Sequence, residues 1–271
     1  MIEFNVMIKM KGKMFLMKIL AVGDIVGKSG INKLKECLPN IVKKYEIDFI
    51  IVNGENAAEG MGLTEKMYRD ILKLNVDVVT MGNHTWGKKE IFSFIDDSHI
   101  IRPANYSPNN PGKGYTIVEK KGKKVAVINL IGRVTMGVLS ENPFLVAKEI
   151  IQKIKSQVDI IIVDFHAEAT AEKIAMSYYL DGEANVIFGT HTHVQTADER
   201  ISKNGTGYIT DIGMTGPKES VIGMDIKASI KRFETSLPEK YRIAEGEAMF
   251  NSCMFDIDDF GKVVEIKRIN L

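Results

Sequence analysis

Phe15-Leu16-Met17-Lys18-Ile19-Leu20-Ala21-Val22-Gly23-Asp24-Ile25-Val26-Gly27 is the stretch that decides the fold. A compact apolar run ends at a glycine and a carboxylate, the pattern of a buried parallel strand that carries a polar side chain into the loop beyond it. The pattern recurs along the chain. Phe49 to Val52 ends at Asn53-Gly54-Glu55-Asn56-Ala57, and Val76 to Met81 ends at Gly82-Asn83-His84. Ile160 to Phe165 ends at His166-Ala167-Glu168, and Val186 to Phe188 leads to Gly189-Thr190-His191-Thr192-His193. In open α/β sheets, functional groups collect at the carboxyl ends of the strands, where the loops face a common crevice. Asp24, Glu55, Asn83, His166 and His191 each follow a predicted strand at that end.

Helical spacing fills the intervals. Ile31, Leu34, Leu38, Ile41 and Val42 recur on one face, with Pro39 as an expected kink or break. Thr64 predicts the N-cap of a helix through Leu74. Asn142-Pro143 opens another, running to about Ser156, with proline in the first turn where its missing N–H costs nothing. Lys120-Lys121-Gly122-Lys123 lies between two strand-like runs and reads as a solvated hairpin tip. Ala248 to Ile257 and Lys262 to Ile269 read as a closing antiparallel pair. No repeat or linker divides the chain, so a single domain over 17–271 is expected, with room for a small insert near 133–142. The methionine- and lysine-rich residues 1–16 read as an extension with no role in the fold.

The 271 residues carry 36 basic and 35 acidic side chains, so no global field selects nucleic acid or membrane as partner. Nothing resembles a signal peptide or a membrane span, and the expectation is a cytoplasmic protein. Cys37 and Cys253 fall at core-like positions and read as buried reduced thiols. Exposed apolar faces would make a homo-oligomer reasonable.

The chemistry lies in the polar islands. Imidazole, carboxylate and amide oxygen together form a ligand set for two adjacent metal ions, and two convergent carboxylates are costly unless cations neutralise them. His191 and His193, spaced by two, would put both rings on one side of an extended segment, with Thr190 and Thr192 facing the other way. His99 lies outside any such island and reads as structural. No serine or cysteine stands in an arrangement suited to nucleophilic catalysis.

Taken in order, Gly23-Asp24-Ile25-Val26-Gly27, Asn53-Gly54-Glu55-Asn56-Ala57-Ala58, Gly82-Asn83-His84-Thr85-Trp86, His166-Ala167-Glu168-Ala169-Thr170, Gly189-Thr190-His191-Thr192-His193-Val194-Gln195-Thr196-Ala197-Asp198 and Asp211-Ile212-Gly213-Met214-Thr215-Gly216-Pro217 resemble the YmdB-type branch of the calcineurin-like metallophosphoesterases. The resemblance runs from about Met17 to the C-terminus. It implies a four-layer αββα sandwich with two metal ions, divalent or mixed-valence, at the strand ends between the sheets. Asp24 and His193 would bind one metal, with Asn56 as a further ligand. Asn83, His166 and His191 would bind the other, Glu55 would bridge both, and His84 would be the general acid. Iron or manganese is implied, and zinc also suits the ligand set.

Three departures stand out. Val26 occupies the place where the broader superfamily has a histidine ligand, Glu55 replaces the usual bridging aspartate, and Gly87 falls where this branch is expected to carry an acid. The implied activity is phosphodiester hydrolysis by a metal-bridging hydroxide, on cyclic nucleotides such as 2′,3′-cyclic AMP. The alternative is an RNA-associated regulator with a weak or vestigial site. An amidohydrolase would place His-x-His after its first strand, whereas here that strand ends in Asp24.

Overall fold

The structure is a computed structural model that describes residues 16–96 and 98–271. Except for Leu16, the expected N-terminal extension lies outside the described residues. The first half of the chain supplies β1 (Met17–Val22), β2 (Asp24–Ile25), α1 (Gly27–Tyr45), β3 (Phe49–Asn53), α2 (Glu65–Leu72), β4 (Val78–Thr80), a 3-10 turn at Lys89–Ser93 and β5 (Ile100–Ile101). The middle supplies β6 (Tyr115–Lys120), β7 (Lys123–Ile131), α3 (Pro143–Ile154), β8 (Ile160–His166), α4 (Thr170–Tyr179) and β9 (Val186–Thr190). There follow β10 (Arg200–Ile201), β11 (Gly207–Ile209), β12 (Met214–Pro217), α5 (Ile226–Thr235), β13 (Ala248–Met249), β14 (Asn251–Ile257) and β15 (Val263–Asn270).

These elements form the expected four layers. One six-stranded sheet has the order β15-β14-β1-β3-β4-β5, and a second has the order β10-β11-β9-β8-β7-β6. The alternation within each strand explains the stacking, because successive side chains point to opposite faces. Ile19 and Ala21 of β1 meet Val125, Val127, Ile162 and Phe188 in the apolar layer between the sheets. Leu20 and Val22 face the other way, into the layer under α1 and α2. Ala126, Ile128 and Leu130 of β7 turn outward onto Ala147 and Ile151 of α3 and Met176 of α4. The central strands β1, β3, β8 and β9 are therefore covered on both faces, which is why they read as nearly unbroken apolar runs.

Several local expectations hold. Thr64 caps α2 by accepting from the Met67 amide at 3.3 Å, and Asn142 caps α3 through the Phe144 amide at 3.0 Å. The β6–β7 hairpin turns on Lys121 and Gly122, both with positive φ. The tip is tied down rather than merely solvated: Lys120 reaches Asp77 at 2.6 Å, and Lys121 pairs with Asp48. Cys37 and Cys253 are buried free thiols.

Pro39 neither kinks the chain out of helix nor ends it; α1 continues to Tyr45. Pro39 is exposed, so the carbonyl deprived of an N–H partner can bind water instead. The β14–β15 pair joins the first sheet along β1, in the register Met17 to Ile257. A small third sheet, β13-β12-β2, was not foreseen; it clamps the short strand that bears Asp24. Residues 132–142 form an irregular loop between β7 and α3. Among the described residues, no helix is long and apolar enough to cross a membrane.

Candidate metal centre

Each expected site residue lies at the carboxyl end of a strand. Asp24 follows β1, Glu55 and Asn56 follow β3, and Asn83 and His84 follow β4. His166 is the last residue of β8, and His191 and His193 follow β9. The two sheets present these ends side by side, so residues as distant in sequence as Asp24 and His193 meet.

The densest contacts surround His166 Nε2. Glu55 Oε1 lies 3.1 Å from it, Asn83 Oδ1 2.9 Å and His191 Nδ1 3.0 Å. Which ring nitrogen bears a proton follows from the outer contacts. His166 Nδ1 is 2.9 Å from Thr190 Oγ1, whose own hydrogen goes to Asp164 Oδ1 at 2.8 Å. His191 Nε2 faces the Glu168 carboxylate at 3.1 Å, and His193 Nδ1 faces the Ile222 carbonyl at 2.8 Å. All three rings thus donate outward and turn a lone pair inward, the arrangement found around histidine metal ligands. Inward lone pairs on His166 and His191, with two oxygens beside them, leave four acceptors and no donor. A single proton could satisfy only part of that set; a cation satisfies all of it.

The other half of the centre is oxygen-rich. His193 Nε2 lies 3.4 Å from Asp24 Oδ2, which also accepts from the His191 amide at 3.2 Å. Asp24 Oδ1 and Asn56 Oδ1 are buried with no hydrogen-bond partner. The Asn56 amide has little freedom to turn, because its Nδ2 donates to the Gly60 carbonyl at 2.9 Å and to His84 Nδ1 at 3.0 Å. Buried polar atoms ordinarily find partners, so two orphaned oxygens in one site fit a cation that they would ligate. Val26 packs instead against Gly216 and Gly223.

The electrostatics show that the site calls for positive charge: burial opposes protonation of the His166 imidazole, but the Glu55 carboxylate beside it outweighs burial and raises it. Burial opposes ionisation of Glu55, but His166 and His84 outweigh it and hold the carboxyl well below its usual range. Burial is the largest cause that pushes the His191 imidazole down to about 3, so it stays a neutral lone-pair donor. Burial also opposes charge on His193, yet its contact with Asp24 lifts it to about 9, a measure of how negative this half is.

The His-x-His segment departs from expectation. It is not extended: β9 stops at Thr190, and His191 and His193 have φ of 99° and 65°. The turn sends the two rings to different halves of the centre, His191 to His166 and His193 to Asp24. Left-handed backbone at non-glycine residues costs on the order of 1–3 kcal/mol each. The surroundings hold it in place. Lys173, on α4 and 1% exposed, donates to the Thr190 carbonyl and to Asp211 Oδ2, both at 2.8 Å. Asp211 Oδ2 also accepts from the amide and hydroxyl of Thr192, and Oδ1 accepts from the Gly213 amide at 2.8 Å.

Sequence reasoning assigned no role to Lys173, Thr190 or Asp164. A signal existed for Lys173, which lies three and seven residues before the buried Met176 and Leu180 on the apolar stripe of α4. His99 is structural, as expected: its Nδ1 is 3.1 Å from the Asp77 carbonyl, away from the centre. Gly87 also finds its reason. A Cβ there would fall 2.8 Å from the Met61 carbonyl carbon, so the position has no room for an acid. Asn56 provides the contact that orients His84.

With this geometry in view, comparison with known proteins gives a consistent result. The profile of the YmdB-like protein family matches residues 20–269. A 2′,3′-cyclic-nucleotide 2′-phosphodiesterase of Bacillus subtilis is 51% identical over 255 residues, covering 93% of this chain and 96% of that protein. A crystal structure described as a novel phosphatase from Mycoplasma pneumoniae superposes with a TM-score of 0.90 at 39% identity, covering 95% of this chain and 94% of that one. A hypothetical protein from Thermus thermophilus gives 0.89 at 37% identity, covering 94% and 99%.

Proposed function

The chain belongs to the YmdB-like protein family, and from that footing we propose that it is a metal-dependent phosphodiesterase acting on 2′,3′-cyclic nucleotides. The observation that carries the reading is the set of four inward acceptors, His166 Nε2 with Glu55 Oε1, Asn83 Oδ1 and His191 Nδ1 around it, beside the orphaned oxygens of Asp24 and Asn56. Asn83, His166 and His191 would hold one cation, Asp24, His193 and Asn56 the other, and Glu55 would lie between them. Iron and manganese suit this mixture of oxygen and imidazole, as does zinc. When bound, such a pair neutralises phosphate oxygens and lowers the pKa of water.

The chain's own residues supply the rest. An alkoxide is a poor leaving group near neutral pH and needs a proton as it departs. Because His84 Nδ1 accepts from the Asn56 amide, the proton resides on Nε2. The side chain is 26% exposed, so the ring is partly open to solvent. The His84 amide also donates to Glu55 Oε2 at 2.9 Å, which fixes His84 relative to the carboxylate that would lie between the cations. A vestigial site would have no reason to retain three outward-bonded imidazoles and a strained loop.

The test measures metal content and turnover of 2′,3′-cyclic AMP on one preparation, before and after chelation, for the wild type, Glu55→Gln and His84→Ala. Loss of turnover on chelation and in Glu55→Gln is expected. Full turnover by chelated protein, or unchanged turnover in both variants, would sink the assignment.

A further inference from the structure

Beside the metal centre runs a groove of about 1090 Å3, lined by Lys28, Met61, Lys88, Lys240, Tyr241 and Arg242 among others. It begins where the site loops end. Lys28 follows the turn that carries Asp24, Met61 follows Asn56, and Lys88 follows His84. The Tyr241 ring lies on Gly60, where a Cβ would fall 2.4 Å from it, and the Gly60 carbonyl is the group that holds the Asn56 amide. Groove and centre therefore share a wall.

The charges in the groove are unbalanced. Lys88 is paired with Glu59 at 2.7 Å. Lys28, Lys240 and Arg242 are exposed and have no ion-pair partner among the described residues; of the two carboxylates in the lining, Glu59 is taken by Lys88 and Glu245 remains. The volume is at the upper limit of what a small-molecule pocket needs, roughly 300–1,000 Å3. A 2′,3′-cyclic mononucleotide carries a single phosphate, and the metal centre takes it. Three free cations alongside would then have nothing to bind. They imply a substrate with further phosphates, and the exposed Tyr241 ring and Met61 offer flat apolar surface for a base.

We propose that this groove binds the body of an oligoribonucleotide whose 2′,3′-cyclic phosphate terminus is hydrolysed at the metal centre. The inference rests on the phosphodiesterase reading above and names the substrate class for that site.

The test compares three substrates on the metal-loaded full chain: 2′,3′-cyclic AMP, its 5′-phosphorylated form, and a hexaribonucleotide ending in a 2′,3′-cyclic phosphate. The expected kcat/KM at low salt is at least tenfold higher for the hexanucleotide than for cyclic AMP. That ratio should fall toward one in Lys28→Glu/Arg242→Glu. Three phosphate contacts predict a log–log salt slope near −2 for the hexanucleotide, at roughly −0.7 per contact on a single strand. A ratio near one in the wild type overturns the proposal. So does a gain that is complete with the 5′-phosphorylated mononucleotide, which would make the occupant a mononucleotide. A second arm measures binding of a labelled hexanucleotide ending in a 3′-phosphate, by anisotropy, in the same proteins. If no cyclic substrate is hydrolysed, the phosphodiesterase reading fails, and this arm still decides the groove. Salt-sensitive binding that the double variant weakens at least tenfold upholds the groove, and absence of binding removes it.

Discussion

Removing either partner of the buried Lys173–Asp211 pair should destabilise the protein strongly, and the two removals should differ in a way that the hydrogen bonds dictate. The Lys173 ammonium is 1% exposed, and its described partners are Asp211 Oδ2 and the Thr190 carbonyl. Asp211 keeps three other donors, the Thr192 amide, the Thr192 hydroxyl and the Gly213 amide. Breaking a buried pair from one side costs about 3–5 kcal/mol. Lys173→Met leaves a carboxylate still solvated by three donors, so its cost belongs near 3 kcal/mol by that range. Asp211→Ala leaves an ammonium with one carbonyl and also strands two backbone amides, so its cost belongs near or above 5 kcal/mol. The same loss releases the loop in which His191 and His193 hold left-handed backbone, at on the order of 1–3 kcal/mol each. Asp211→Ala should therefore lose metal stoichiometry as well as stability, whereas Lys173→Met should retain much of it. Urea unfolding of the metal-free proteins gives the first quantity, and elemental analysis after loading gives the second. Lys173→Met costing more than Asp211→Ala, or Asp211→Ala costing under about 1 kcal/mol, would refute the reasoning.

Three further outcomes follow from the site. His84→Ala should lower kcat on an alkyl phosphodiester by about 10²–10⁴-fold but far less on a p-nitrophenyl ester, whose leaving group needs no proton; an equal loss on both would remove His84 from the acid role. Thr190→Val deprives His166 Nδ1 of its acceptor and Asp164 of its donor, so metal affinity measured by chelator competition should fall about 10–100-fold, and unchanged affinity would count against the outer contact. Gly87→Asp forces a side chain against the Met61 carbonyl and should cost about 1–3 kcal/mol in urea unfolding; a neutral result would mean that the Met61–Gly62 turn yields freely.

How much of this was legible in the sequence depends on the range of each interaction. The layers could be read because the central strands of both sheets are covered on both faces, and doubly buried strands such as Phe49–Asn53 are nearly unbroken apolar runs. The strand-end residues could be read because polar groups framed by glycine are conspicuous after such runs. The conformation of His191 and His193 could not. Spacing by two suggests an extended segment, and the left-handed turn is held by Lys173, Asp211, Asp24 and Ile222, all contributed by other parts of the chain. The course of α1 through Pro39 was also hidden, because it depends on that position facing solvent. Gly87 read as a missing acid until the neighbouring Met61–Gly62 backbone explained it.

The pairing of β1 with β14 has a consequence for how the protein is made. Met17 lies opposite Ile257, and the amide of Gly23, next to Asp24, donates to the Asn251 carbonyl at 3.0 Å. During synthesis the first strand emerges long before the partner that covers its free edge. Such long-range pairing is slow to form and leaves an apolar edge exposed meanwhile. A chain halted before Asn251 is therefore expected to be protease-sensitive and unable to take up metal, which pulse proteolysis and metal analysis of such a fragment would check. Asp24, the carboxylate proposed as a metal ligand, and the β14–β15 hairpin come together in one late event, so the metal centre is expected to form only after that hairpin has been synthesised.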